Sequence, residues 1–175
     1  GITGVIYIFN RNKDGSMSIM NETIKTILTR KSVRSYKDDQ ILDSDLELLI
    51  DAAIHAPTGG NSQSWNFTVI QNREKLLELN SLVKESFANL FVDENTYQSK
   101  RKGKIAAQQE RYSFYFNAPT LIIVSNAREY PNAMADCSAA IENILLAAKS
   151  LGLASCWINQ LTWFCDEEKM RQTLT

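Results

Sequence analysis

At 175 residues, 44% hydrophobic and 22% charged, the chain has the make-up of one soluble globular domain with room for a substantial core. A formal net charge of −1 excludes the electrostatic footprint of a nucleic-acid binder or of a protein held on an anionic membrane. Three cysteines without C-x-x-C spacing and a single histidine exclude a disulfide framework and a His-rich metal site, and point to free thiols in a reducing cytoplasm.

Residues 1–16 read as an extension or added segment ahead of a domain spanning 17–175. Val5–Phe9 is β-branched and aromatic, which predicts a short strand, and Arg11–Ser16 is a polar turn. No basic region or small-residue cleavage pattern marks a secretory signal, and no apolar run approaches the roughly 18–20 residues of a membrane span. Glu22–Lys31 carries Ile24, Ile27 and Leu28 at helical spacing, with Asn21 as cap, and predicts a helix with one buried stripe. Ser32–Asp39 should be extended. The next helix is marked by Ser44 and Glu47 at capping-box spacing, by Leu46, Leu49, Ile50, Ala53 and Ile54, and by Pro57, which stops it.

Trp65–Gln71 predicts a strand with Trp65, Phe67 and Val69 on one face, and Arg73–Asn89 a helix. Phe91–Arg111 is polar and Lys/Gln-rich, an exposed flap or crossing helix whose 100–104 basic run is a solvated face. Thr120–Asn126 is apolar throughout and predicts a fully buried strand. Asn132–Ser150 is apolar nearly all round, so it belongs inside the protein or inside an oligomer interface. Ser155–Leu161 reads as the last strand, and Asp166–Leu174 starts a further helix. Helix and strand signals mix without regular alternation, which is an α+β pattern.

Three segments carry candidate chemistry. Arg30-Lys31-Ser32-Val33-Arg34-Ser35-Tyr36 places three cations within five positions, which suits a phosphate, although a solvated basic helix end has the same composition. Ala56-Pro57-Thr58-Gly59-Gly60-Asn61-Ser62-Gln63-Ser64-Trp65 combines flexible backbone with amide groups fit for the mixed polar edges of a heteroaromatic ring. By composition alone it is also an ordinary helix-to-strand loop. Leu151-Gly152-Leu153-Ala154-Ser155-Cys156-Trp157-Ile158 is the third. Cys156 has no neighbouring base legible in the sequence and reads as a small strand residue, and His55 as a capping residue.

In order and spacing, these segments resemble the signature of the FMN-dependent nitroreductase family: R-[RK]-S-[VI]-R-x-[YF], then A-P-[ST]-x-x-N-x-Q-x-W-x-F, then L-G-[LI]-[GA]-S-C-W-[IL]. The resemblance implies an α+β fold with a central mostly antiparallel sheet flanked by helices, built as an intertwined homodimer with FMN at the subunit interface. It implies that Arg30, Lys31, Ser32 and Arg34 serve the phosphate and ribityl chain. Pro57, Thr58, Gly59, Asn61 and Gln63 would form the loop that reaches FMN, in part across the dimer, and Trp157, Ile158, Asn159 and Gln160 would lie along the isoalloxazine ring. Asn159 and Gln160 stand where many relatives carry glycine, so the donor to flavin N5 is left to the backbone. Trp65 and Phe67 are assigned to the core.

The implied activity is transfer of reducing equivalents from NADH or NADPH to a small electron-poor acceptor, a nitroaromatic or quinone, by a ping-pong mechanism with no catalytic side chain and no metal. A flavin-binding redox sensor or interaction module without turnover shares the motifs, and so does an FMN enzyme of reductive dehalogenation. The family pattern continues past the last helix into a strand and an arm that carries a basic residue; this sequence runs to Thr175. An alternative places Val5–Phe9 in that strand position, with Arg11 or Lys13 as the cation.

Overall fold

The computed structural model describes residues 21–174, so Val5–Phe9, Arg11, Lys13 and the 1–16 boundary lie outside the described residues. The elements in chain order are α1 (Glu22–Thr29), α2 (Asp43–Ile54), β1 (Asn66–Ile70), α3 (Arg73–Asn89), α4 (Gln98–Ala107), β2 (Leu121–Ser125), α5 (Ala133–Ser150), α6 (Gln160–Phe164) and α7 (Glu168–Leu174). β1 and β2 pair antiparallel, with Phe67 opposite Val124 and Ile70 opposite Leu121.

The sheet is small but covered on both faces. Alternating side chains point to opposite sides of a strand. Phe67, Ile122 and Val124 therefore meet α2 and α5, around Leu49, Ala53, Ala140, Ile144 and Ala148. Ile70, Leu121 and Ile123 join the second core, built from α3, α4, α6 and α7 around Phe87, Phe114, Phe164 and Met170. The mixed layers are those of an α+β fold, as the sequence predicts. Trp65 and Phe67 pack as core residues, half-buried.

α3 spans the expected Arg73–Asn89, because Asn72 caps it by accepting the Lys75 N–H at 2.9 Å. Other elements differ from expectation for physical reasons. The Ser44–Glu47 capping box does not form. The helix starts earlier, at Asp43, with Leu42 as an uncapped N-cap and Asp43 and Asp45 in the first turn, where acids suit the helix dipole. Ser155–Leu161 is not a strand: it holds one parallel bridge at Ser155 and then turns into α6. β2 is fully buried only at Leu121, because nothing among the described residues pairs with its second edge. The apolar stripe of α1 faces outward, with Ile24, Ile27 and Leu28 all exposed. The basic run of α4 is only partly solvated, since Lys104 Nζ donates to the carbonyls of Ala88 (3.1 Å) and Leu90 (2.5 Å).

The second core turns on Phe87, which is fully excluded from solvent and meets Phe164 edge-on with centroids 4.9 Å apart. Replacing Phe87 by Ala deletes a buried ring that α6 cannot refill, and should cost about 3–5 kcal/mol in equilibrium urea unfolding. A cost below about 1 kcal/mol would show that α3 and α6 do not share this core.

Candidate functional site

Two of the three motifs meet. The chain leaves α1 at Arg30, whose backbone is already extended at φ −62°, ψ 135°. Ser32 then forms a parallel bridge with Ser155, and the Val33 N–H donates to the Ser155 carbonyl at 3.0 Å. The next peptide group is also held, because the Tyr36 hydroxyl donates to the Val33 carbonyl at 2.7 Å. The cationic segment is thus fastened to the stretch 155–158 by main-chain bonds, which do not depend on its exposed side chains. Burial pushes the Tyr36 phenol from its ordinary value of 10.0 up to about 12; Cys156 adds to the rise and Arg34 opposes it.

Arg34 is exposed, with its guanidinium carbon 5.9 Å from the Phe116 ring centroid, within cation–π reach. Phe116 and Asn117 sit in left-handed conformations (φ 54° and 58°). A side chain costs roughly 1–2 kcal/mol in that region. The corner is held by Ser113, whose carbonyl accepts the Phe116 N–H at 3.1 Å and whose Oγ accepts the Asn117 N–H at 2.9 Å. The result sets an aromatic face under a cation.

A cavity of about 200 Å³ opens here, lined by Arg34, Tyr97, Phe116, Trp157, Gln160 and Trp163 among others. Trp157, Ile158, Asn159 and Gln160 all line it, and Trp157 is 43% exposed. Asn159 stands at the N-terminal cap position of α6 without a side-chain capping bond, and Gln160 begins the helix. A larger cavity of about 710 Å³ adjoins it, sharing Phe116, Cys156, Trp157 and Ile158, with aliphatic walls from Leu49, Ile122, Val124 and Ile144. Arg30, Lys31 and Ser32 line neither cavity, and Arg34 lines the smaller one. Arg30, half-buried, faces the exposed Glu142 at 4.0 Å, a contact at the limit of ion-pair distance and worth little. Lys31 and Arg34 have no carboxylate partner among the described ion pairs.

The Pro57–Gln63 loop is elsewhere. None of its residues lines either cavity. It is seated on the first turns of α5, where the Gly59 N–H donates to Asp136 and the Trp65 indole N–H donates to the Asp136 carbonyl at 3.2 Å. Pro57, Asn61 and Gln63 are exposed, while Thr58 and Gly59 are half-buried. Cys156 is half-buried and its sulfur lies 3.5 Å from the Trp157 carbonyl. His55 is the C-cap of α2, with Nδ1 2.7 Å from the Asp51 carbonyl, as a capping residue should be. Sequence reasoning missed Tyr97, Phe116, Trp163, Tyr130 and Asp136. For Asp136 a signal was present, a lone acid in the first turn of an otherwise apolar helix.

The model of the nitroreductase family matches residues 27–175. A nitroreductase with bound FMN from Bacteroides fragilis is 43% identical, with a TM-score of 0.78 over 88% of this chain and 78% of that one. Another with bound FMN, from Desulfitobacterium hafniense, is 28% identical, with a TM-score of 0.72 over 89% of this chain and 81% of that one. A protein of Archaeoglobus fulgidus provisionally named NADH dehydrogenase/NAD(P)H nitroreductase is 35% identical over 157 residues, 87% of this chain and 74% of its own length.

Tyr36 supplies a test of the fastening. Its folded-state pKa is raised, so the stability it contributes is complete below pH 10 and is lost as pH climbs through about 12. Alkaline titration of the phenolate absorbance should show Tyr36 ionising late, together with Tyr112, which burial also pushes up to about 12. Tyr36→Phe should remove one late-titrating phenol; an unchanged late phase would place Tyr36 in solvent.

Proposed function

The chain belongs to the nitroreductase family, and from that premise we propose that it is an FMN-dependent oxidoreductase. It takes reducing equivalents from NADH or NADPH and passes them to electron-poor acceptors such as nitroaromatics or quinones. The observation that carries this reading is the Val33–Ser155 bond, which brings the cationic segment to the wall formed by Trp157, Ile158, Asn159 and Gln160.

The residues present fit the group. Lys31 and Arg34, unpaired with carboxylates among the described residues, offer charge and donors to a phosphate, with Arg30 and Ser32 beside them. Trp157 and the backbone of 157–160 offer an apolar surface and amide donors to a flat ring system. When bound, FMN supplies the hydride chemistry; this chain supplies binding, orientation and electrostatics. Arg34 and the backbone donors favour negative charge on whatever they face. No side chain need act as acid or base, and Cys156 has no role in this scheme. One site serving both substrates in turn gives ping-pong kinetics.

The site is completed by a second copy. Pro57, Thr58, Gly59, Asn61 and Gln63 lie away from the cavity of their own chain, and we assign them to the flavin of a partner subunit. Exposed Ile24, Ile27, Leu28 and Met134, with the half-buried outer side of α5, give the pair an apolar surface to cover. We take 17–175 as the domain and 1–16 as an extension, and the cytoplasm as the compartment, which suits the free Cys137, Cys156 and Cys165. Among the described residues no helix is long and apolar enough to cross a membrane.

The purified protein should be yellow and release FMN on denaturation. Added NADH or NADPH under nitrogen should bleach it, whereas a flavin sensor without turnover would keep its colour. Arg30→Ala and Arg34→Ala should each weaken FMN by about ten- to hundredfold, as loss of a charge-assisted bond of roughly 1.5–3 kcal/mol implies, and leave riboflavin nearly unaffected. Equal weakening of both ligands would return the two arginines to a solvated surface. Light scattering of the flavin-loaded protein should give a mass near twice 19.8 kDa. A monomer with full FMN would contradict the shared site.

A further inference from the structure

Asp136 is the only charged side chain buried among the described residues, at 4% exposure. A buried carboxylate persists only where partners replace its water. The carboxylate of Asp136 meets the Pro57–Gln63 loop and Tyr130, which itself touches the loop. The Gly59 N–H donates to both carboxylate oxygens, at 3.2 and 3.3 Å. The Tyr130 hydroxyl donates to Oδ2 at 2.9 Å, lies 3.0 Å from the Gly59 carbonyl, and lies 2.9 Å from Ser62 Oγ, which is placed to donate to it. The seat is tight: a Cβ on residue 59 would stand 2.1 Å from Asn132 Nδ2 and 2.9 Å from the Tyr130 oxygen.

The loop so held has a backbone that the chain would not keep by itself. Gly60, Asn61 and Gln63 take φ values of 59°, 54° and 48°. The glycine does so freely, but the two side-chain-bearing residues pay in torsional strain, and such strain lasts only where the surroundings over-determine the conformation. The Asn61 and Gln63 side chains are exposed, so they do not anchor it. Within the loop the Asn61 N–H donates to the Thr58 carbonyl at 3.1 Å, the Ser62 N–H to the Gly59 carbonyl at 3.2 Å and the Gln63 N–H to Thr58 Oγ at 3.2 Å, and Asp136 and Tyr130 hold it from outside.

We propose that Asp136 and Tyr130 are positioning residues that preform the Pro57–Gln63 loop for the flavin ring. The inference rests on the reading that this loop serves a flavin. It goes further by naming residues outside the motifs that set the loop's shape before the ligand arrives. A loop already ordered adds no ordering cost to binding.

The test uses the full chain with Asp136→Ala, Asp136→Asn and Tyr130→Phe. In the flavin-free protein, amide hydrogen exchange over residues 59–63 should quicken at least tenfold in Asp136→Ala and Tyr130→Phe. It should stay near the parent rate in Asp136→Asn, which keeps an oxygen for the Gly59 N–H. FMN and riboflavin should both weaken by the same factor, about tenfold, because the phosphate contacts are untouched. Turnover per bound flavin at saturating FMN should stay within about twofold. Should Asp136→Ala fail to fold, Tyr130→Phe, which removes one hydroxyl from a half-buried ring, carries the experiment. Unchanged exchange would overturn the clamp. Faster exchange with unaltered flavin affinity would overturn the positioning role while FMN binding by the parent protein still stood. A parent protein that takes up no FMN would instead remove the flavin reading itself.

Discussion

Where α2 crosses α5, Ala53 and Ala140 are both fully excluded from solvent, with Ala148 nearly so. Side chains this small let the two helices approach closely, and a close contact leaves little freedom in how α5 lies. The rest of the arrangement depends on that placement. The first turns of α5 hold the Pro57–Gln63 loop through Asp136, its middle presents Glu142 to Arg30, and its end delivers 153–158 to the Ser32 bridge. A larger residue at 53 or 140 would move all three together.

Parts of this were legible in the sequence because local chemistry decides them. Asn21 and Asn72 cap their helices with their own side chains, and Leu76, Leu79 and Val83 of α3 are buried as helical spacing implies, while Leu77 faces outward. The three motifs, in their order, are a sequence property and indicate the family without coordinates. The fastening of Arg30–Arg34 beside 155–158 was implied only through the resemblance, since a main-chain bond between Val33 and Ser155 leaves no trace in side-chain pattern.

What was illegible was tertiary. The α1 stripe is a correct reading of amphipathicity, but periodicity identifies a face without saying what covers it. Ser155–Leu161 looks like strand because its residues suit an extended backbone, yet ladder formation needs a neighbour, and among the described residues it makes one bridge. The lone acid Asp136 stands out in the sequence, but its partner does not: the Asp136–Gly59 bond joins residues far apart in the chain and uses a backbone N–H, which no residue type flags. Motif reasoning finds the residues that touch a ligand more readily than those that hold them.

The left-handed pair Phe116–Asn117 has an evolutionary consequence. Selection for stability alone would favour glycine at 116, which adopts that backbone without torsional penalty. Glycine there would also erase the aromatic surface beneath Arg34. The corner therefore marks a trade between robustness and the shape of the cavity wall, and a directed-evolution campaign scored only on thermal tolerance would be drawn toward the substitution that dismantles the wall.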